Sequence, residues 1–438
     1  MIIPTAIEFF KLLPKTNCKD CGQPTCLAFA MQLANQKAKI DDCPHVDQKS
    51  KDTLNESAAP PVRTVTVGSR KKMEMGGETV LYRHERKFVN PIVYALTVTD
   101  TQSAEDRIAE IRKLRFERVG MIFAVDMLSL KCESGDASRY KTLTENVMRL
   151  WDGPFVLECD VPEILEASLA VCKAERPLIY SATPENIDAL CKVAKTFSCP
   201  LALSSSDVSA IADMTERAKK NGVDDLVLDL CAVNLKECLE RQTIARRTAL
   251  KKKFKPLGYP LMNRLGSGEY AVAMAAISTM KYGSLVIFDD LKSYEALPLF
   301  TLRQNLYTDP QVPIQVKQDL YPINNPDTDS PIFFTTNFSL TYFTVRADIE
   351  KSKMPVWLQI VNTEGLSVLT AYAAGKFNPE HVVKAFEESG VLKKSGGPVV
   401  IPGLVTRMSG KLQEMIGRRV VIGTTESKNI PKFLKELK

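Results

Sequence analysis

Several things are scarce in this 438-residue chain. No apolar run approaches the ~18 residues needed to cross a bilayer, so no membrane-spanning helix is expected. The opening stretch MIIPTAIEFFKLLPK has no basic start and no small-residue cleavage site. No secretion signal is therefore read there, and the expected location is the cytoplasm. Histidine occurs three times, at His45, His84 and His381, and none falls in the central part of the chain. Neither phosphate-cradling pattern, G-x-x-x-x-G-K-[ST] or G-x-G-x-x-G, opens a strand-to-helix turn, which makes nucleotide readings poor. Net charge is also small, 58 basic against 52 acidic residues. Nucleic-acid binders concentrate basic charge with groove-reading or stacking motifs. The densest basic run here is Arg246, Arg247, Lys251, Lys252, Lys253 and Lys255. It reads as a solvated helix end, and no nucleic-acid or membrane partner is expected.

Cysteine, by contrast, is plentiful. The chain has 11, an odd number. Seven (Cys132, Cys159, Cys172, Cys191, Cys199, Cys231 and Cys238) scatter through apolar segments without metal-ligand spacing and read as reduced core residues. The other four, Cys18, Cys21, Cys26 and Cys43, form C-x2-C-x4-C-x16-C. Soft thiolates in a close trio suit a loop wrapping three corners of an iron–sulfur cube, with a fourth ligand returning after one helix. Gly22 and Pro24 shape the turn. Zinc is the competitor, but zinc sites usually pair two C-x2-C knuckles and only one is present. The expectation is one [4Fe–4S] cluster in an anaerobic, reducing setting.

Residues 1–58 read as a small unit. Thr5 and Glu8 suggest a capping box for a helix over 6–13, and a second helix is expected over 27–39. Pro60-Pro61 breaks the chain, and 59–90 reads as a linker or hairpin with Gly76-Gly77 at its turn. From residue 91 short apolar runs alternate with amphipathic ones. Strands are expected at 91–99, 118–126, 154–159, 177–181, 200–204, 225–230, 260–263 and 284–289. A helix follows each of them. Eight such units over 91–302 imply a closed TIM (β/α)8 barrel, with a doubly wound open sheet as the alternative. Asp100, Asp126, Asp160, Ser204–Ser206, Asp229, Asn263 and Asp289 end strands and read as helix N-caps. Residues 303–330, rich in Pro, Asn and Asp, read as a connection. Residues 331–438 alternate again and imply a smaller open α/β domain, whose ligands would bind beyond the carboxyl ends of its strands.

One four-cysteine cluster stores or relays an electron but does no bond chemistry alone. From the residues, two readings stay open. In one, the C-terminal domain holds a redox cofactor near Gly365–Phe377. In the other, the chain is an electron-transfer or scaffold subunit whose cluster serves a partner.

The segments LLPKTNCKDCGQPTCLAFAMQLANQKAKIDDCP, RQNLYTDPQVPIQV, TTNFSLTYFTV and GLSVLTAYAAGKF resemble the large (gamma) subunit of the corrinoid iron–sulfur protein. That family belongs to the acetyl-CoA synthase/decarbonylase system of the Wood–Ljungdahl carbon-fixation pathway. The resemblance spans essentially the whole chain. It implies a cluster domain, a TIM barrel and a Rossmann-like corrinoid-binding domain. It also implies a heterodimer with a small corrinoid-protein subunit, and three further partners. These are a methyltetrahydrofolate:corrinoid methyltransferase, acetyl-CoA synthase/CO dehydrogenase and a reductive activator protein. The cobalt of the cobamide would carry a methyl group between the first two, and the cluster would reactivate cob(II). Carried over by motif, Cys18, Cys21, Cys26 and Cys43 hold the cluster. Thr336, Asn337, Thr341 and Tyr342 line the corrinoid. Gly365, Leu366, Ser367, Val368, Leu369 and Thr370 approach the ring, with Thr370 near the lower cobalt face. Gly403, Gly423, Thr424 and Thr425 border the nucleotide tail. The Asp-x-His-x-x-Gly motif that supplies a histidine ligand in many corrinoid proteins is absent, and His381 reads as a surface helix residue. The cobalt is therefore expected base-off. The chain is read as a carrier subunit in a transferase system, with no residue assigned a catalytic role.

Overall fold

A computed structural model describes residues 6–34, 38, 40–47, 60–309 and 312–437. Thr5, the Glu8 side chain and the end of the expected second helix at 35–37 and 39 lie outside the described residues. The chain divides into two compact units, 1–115 with 124–307, and 116–123 with 308–438.

In the first unit, helices Ala6–Leu12 and Cys26–Ala34 enclose a small core of Phe9, Leu13, Phe29, Ala30, Leu33, Ile40 and Val46. Next comes an antiparallel pair, β1 (Val65–Val67) and β2 (Met73–Met75). Its turn falls at 68–72, so Gly76-Gly77 follows the hairpin rather than making it. Val65, Val67 and Met75 pack with the inward residues Val93, Val156, Leu178 and Val227. The hairpin thus plugs the amino-terminal end of the barrel.

The barrel is closed and parallel. Its strands are β3 (Val93–Thr99), β6 (Met127–Lys131), β7 (Phe155–Glu158), β8 (Leu178–Ala182), β9 (Leu201–Ser204), β10 (Leu226–Asp229), β11 (Leu261–Arg264) and β12 (Gly283–Phe288). Near-continuous apolar strands are what burial on both faces requires. Seven of the eight expected strands overlap these; the strand expected at 118–126 does not. That stretch folds as a separate hairpin, β4 (Phe116–Arg118) with β5 (Met121–Phe123). Val119 and Gly120 both take positive φ, 51° and 70°, the requirement of a two-residue type I′ turn. Gly120 is also needed for space, since a Cβ there would lie 2.1 Å from the Phe343 ring. The barrel strand is instead MLSLK, just downstream.

The basic run needs a second correction. Arg246 is 2 % exposed. Its guanidinium donates to the Tyr282 carbonyl at 3.2 Å and stacks over the Tyr282 ring. Arg247 and the lysines of the run are solvated, whereas the face of helix Leu235–Lys251 that carries Arg246 is buried.

The second unit is a five-stranded sheet. Its strands are β13 (Leu320–Ile323), β14 (Ile332–Thr336), β15 (Val356–Val361), β16 (Val399–Ile401) and β17 (Val420–Ile422), in the order β13-β15-β14-β16-β17. β13 pairs antiparallel with β15, and the other pairings are parallel. β13 lies inside the stretch read as a connection, and helix Ser293–Tyr307 also runs into it. The antiparallel edge strand escaped notice because Pro322 interrupts its pattern, and Pro is tolerated on an edge. Helices cover both faces. Phe334, Phe377 and Phe386 anchor one core, while Phe333, Tyr342 and Ile349 anchor the other. Among the described residues no helix is long and apolar enough to cross a membrane.

Candidate cluster and cofactor sites

All four motif cysteines are free thiols. Cys26 and Cys43 are buried in the small core, and the partly buried Cys21 packs against it. The loop carrying Cys18 and Cys21 is shaped by local geometry. Asn17, Lys19 and Gly22 take positive φ. The Asn17 side chain caps the second helix by accepting the Cys26 amide at 2.8 Å, and the Gly22 amide donates to the Lys19 carbonyl at 2.8 Å. Cys18 stands apart. It is exposed and lies with Asp20 and His45, their ligand atoms within 4.8 Å of one another. His45 Nε2 meets the Asp20 carboxylate at 2.5 Å. Three thiols therefore converge on the core while the fourth faces outward. Four free thiols, two on a turn-rich loop, one at the start of the second helix and one after it, suit a soft metal cluster whose most exposed corner is at Cys18.

In the barrel, the strand-end polar residues do not cap helices. The side chains that do so are Ser103, Asp136, Asp207 and Asn234. Strand ends instead bond across the mouth. Arg264 donates to Glu158 at 2.8 Å and to Asp289 at 2.5 Å. Ser129 donates to the other Glu158 oxygen at 3.0 Å. Tyr180 donates to Asp229 at 2.7 Å, and the Cys231 amide donates to the same carboxylate at 2.9 Å. Burial pushes the Asp229 carboxyl up to about 6, against the lowering effect of those hydrogen bonds. Asn263 donates to Ser278 at 2.8 Å. Asp100 accepts from the Ser134 amide and hydroxyl, and Asp126 pairs with Arg303.

The second unit has an open site instead. A cavity of about 270 Å³ lies beyond the ends of β14, β16 and β17. Thr335, Leu340, Thr341, Thr344, Val368, Pro402, Leu404, Gly423, Thr424 and Thr425 are among its lining residues. Thr336, one residue beyond Thr335 at the end of β14, is fully buried and its Oγ1 has no hydrogen-bond partner. Gly403 permits close approach behind the cavity. A Cβ there would lie 2.6 Å from the Gly423 carbonyl oxygen. Leu340, Leu369 and Leu404 are 57 %, 53 % and 44 % exposed, which leaves apolar surface around this end of the sheet. The volume suits a flat aromatic ring with a small polar group. A macrocycle would have to lie outside, on the apolar rim.

Not every expected contact residue reaches the cavity. Thr341, Val368, Gly423, Thr424 and Thr425 line it. Tyr342 is in the core, ringed by Tyr321 and Phe343, and its hydroxyl accepts from Arg346. Asn337 is a hub. Its Oδ1 accepts from the Thr363 amide, the Thr363 hydroxyl and the Gly365 amide at 2.9, 3.1 and 2.9 Å. Its Nδ2 donates to Gln315 and Asn362. Gly365, at φ 77°, is crowded by Pro313 and Gln315. Leu366 packs on the core. The Ser367 and Thr370 hydroxyls bond each other at 3.0 Å on the surface. None of the three histidines lines the cavity. His381 is exposed, and its amide donates to Asn378 at the start of helix Pro379–Ser389.

A family model described as CO dehydrogenase/acetyl-CoA synthase delta subunit matches residues 64–434, and an iron–sulfur cluster model matches residues 13–45. The corrinoid/iron–sulfur protein large subunit of Moorella thermoacetica is 37 % identical, with 98 % of each chain covered. The acetyl-CoA decarbonylase/synthase complex subunit gamma of Methanocaldococcus jannaschii is 35 % identical, over 98 % of this chain and 96 % of the relative. This chain belongs to the corrinoid/iron–sulfur protein large-subunit family. Among solved structures, dihydropteroate synthase of Thermus thermophilus matches 56 % of this chain and all of its own, at 19 % identity and a TM-score of 0.38.

For this corrinoid/iron–sulfur family member, sequence reasoning missed Leu340, Thr344 and Leu404 at the cavity. A signal existed for Thr344. It sits three residues after Thr341 on helix Ser339–Ser352, so the two hydroxyls share a helix face.

Proposed function

We propose that this chain is the methyl-carrier subunit of the acetyl-CoA synthase/decarbonylase system and holds both a [4Fe–4S] cluster and a base-off cobamide. Cys18, Cys21, Cys26 and Cys43 hold the cluster, with Cys18 at its solvent side. Thr341, Gly423, Thr424 and Thr425, with Gly403 behind them, receive the tail of the cobamide. The exposed Leu369 and its neighbours Gly365–Thr370 lie under the ring, and Asn337 holds their loop in place. When bound, the corrinoid supplies a nucleophilic cobalt that carries a methyl group from methyltetrahydrofolate or a pterin analogue to the nickel site of acetyl-CoA synthase, and the cluster supplies the electron that restores it.

The partners in this reading are the small corrinoid-protein subunit, a methyltransferase, acetyl-CoA synthase/CO dehydrogenase and a reductive activator. Residues 1–58 serve the cluster, 91–302 form the barrel and 331–438 serve the corrinoid, with 59–90 and 303–330 between them.

One observation carries the reading. A four-thiol motif and a strand-end cavity lined by threonines and no histidine occur in the same chain. The test is anaerobic purification with the small subunit, followed by cobalt analysis and spectroscopy. The reading expects one cobalt per heterodimer and a cob(II) resonance without nitrogen superhyperfine splitting. Cobalt-free heterodimer would leave the electron-transfer scaffold, and nitrogen splitting would sink the base-off assignment.

A further inference from the structure

The barrel rim holds thiols that neither candidate site uses. β6 and β7 are neighbouring parallel strands in register, with Lys131 opposite Glu158. The ladder continues one step further, because the Cys132 amide donates to the Glu158 carbonyl at 3.0 Å. Cys132 and Cys159 therefore stand opposite each other. Neighbouring strands lie about 4.8 Å apart, and a disulfide needs a Cα separation of about 4.4–6.8 Å. Each thiol lies close enough to perturb the charge of the other, and both are free.

Their surroundings differ. Cys132 is half-buried, and burial pushes its thiol up, an effect that the Gly135 amide opposes and the Asp100 carboxylate adds to. Cys159 is 8 % exposed and faces the Val161 carbonyl at 3.8 Å. Cys132 is the sulfur that a reagent can reach.

We propose that Cys132 and Cys159 are a redox-active dithiol that closes into a disulfide across the barrel rim by exchange with a small-molecule disulfide of the glutathione class. Cys132 loses its proton and attacks one sulfur of the small disulfide. The S–S bond of that reagent breaks, and one small thiolate leaves. Cys159 then loses its proton and attacks Cys132 Sγ. The mixed S–S bond breaks, and the second small thiolate leaves. The protein gives up two protons and two electrons, and the small disulfide takes them up as two thiols. The bond ties the loop after β6, which carries the Asp100–Ser134 contacts, to the loop after β7. Burial pushes the Cys159 thiol up to about 12.

Cys172 and Cys199 also lie near each other but are 0 % and 4 % exposed. They are an internal control. The full-length protein, purified anaerobically, is incubated with oxidised glutathione. It is then denatured and alkylated, and its peptides are mapped by mass spectrometry. The expected result is a peptide pair joined through Cys132 and Cys159, lighter by two hydrogens and released by dithiothreitol, with Cys172 and Cys199 alkylated. Cys132→Ser abolishes the link and leaves Cys159 reduced. Cys159→Ala leaves Cys132 as a glutathione mixed disulfide. Recovery of the two wild-type residues unlinked, or of Cys132 joined to a different cysteine, overturns the proposal.

Discussion

At the carboxyl ends of the barrel strands, Glu158, Arg264, Asp289, Tyr180 and Asp229 satisfy one another. At the carboxyl ends of β14, β16 and β17 the equivalent position is an open cavity lined by Thr335, Thr341, Thr424 and Thr425. Both are places where α/β folds bind ligands. The fold offers each location, and the side chains decide whether it is spent on internal bonds or kept open. A mouth closed by its own ion pairs gives the barrel stability. An open cavity leaves surface that a ligand can cover.

The largest expected effect breaks the closed end. Arg264→Leu leaves Glu158 without its cation, and the Arg264 and Glu158 side chains are 14 % and 13 % exposed. Removing one partner of a buried pair costs about 3–5 kcal/mol. Partial exposure favours the lower end of that range. A shift in the urea midpoint measures it, and an unchanged midpoint would mean the mouth network holds nothing together.

Next comes pH. The Asp229 carboxyl is raised to about 6 from an ordinary 3.8. The folded state therefore binds this proton more tightly than the unfolded state does. Stability from this group is full below about pH 4 and is lost as pH rises through about 6. The difference amounts to about 3 kcal/mol. Asp229→Asn keeps an acceptor for Cys231 and a donor for Tyr180. It should flatten that part of the stability–pH curve, and an equally steep curve would assign the proton elsewhere.

The smallest effect lies at the open end. Thr336→Val removes a buried hydroxyl without a partner. It should raise stability by about 1 kcal/mol. Loss of stability would show that the hydroxyl already has a partner.

Much of this arrangement was legible in the sequence. The cysteine quartet was readable because metal-ligand spacing is local, and seven barrel strands were readable because each has its own apolar run and following helix. β6 was not, because Met121-Ile122-Phe123 imitates a strand and only the left-handed turn at Val119-Gly120 takes it out of the barrel. Arg246 was not, since charge reports solvation on average and its burial depends on what packs over one helix face. Of the residues assigned to the cofactor by motif, Thr341 and Gly423–Thr425 line the cavity. Asn337 and Tyr342 were assigned to the ligand, whereas the fold uses them to hold a loop and fill a core. A motif preserves both kinds of residue alike, and only hydrogen-bond partners separate them.

The most direct measurement compares cobalt content in two variants of the heterodimer. Thr341→Trp fills the open cavity, and Glu158→Gln alters the closed mouth while keeping an acceptor for Arg264. Cobamide held at the ends of β14, β16 and β17 predicts loss of most cobalt from Thr341→Trp and wild-type cobalt in Glu158→Gln, with both variants folded by circular dichroism. Full cobalt in Thr341→Trp, or its loss from Glu158→Gln alone, would contradict the account.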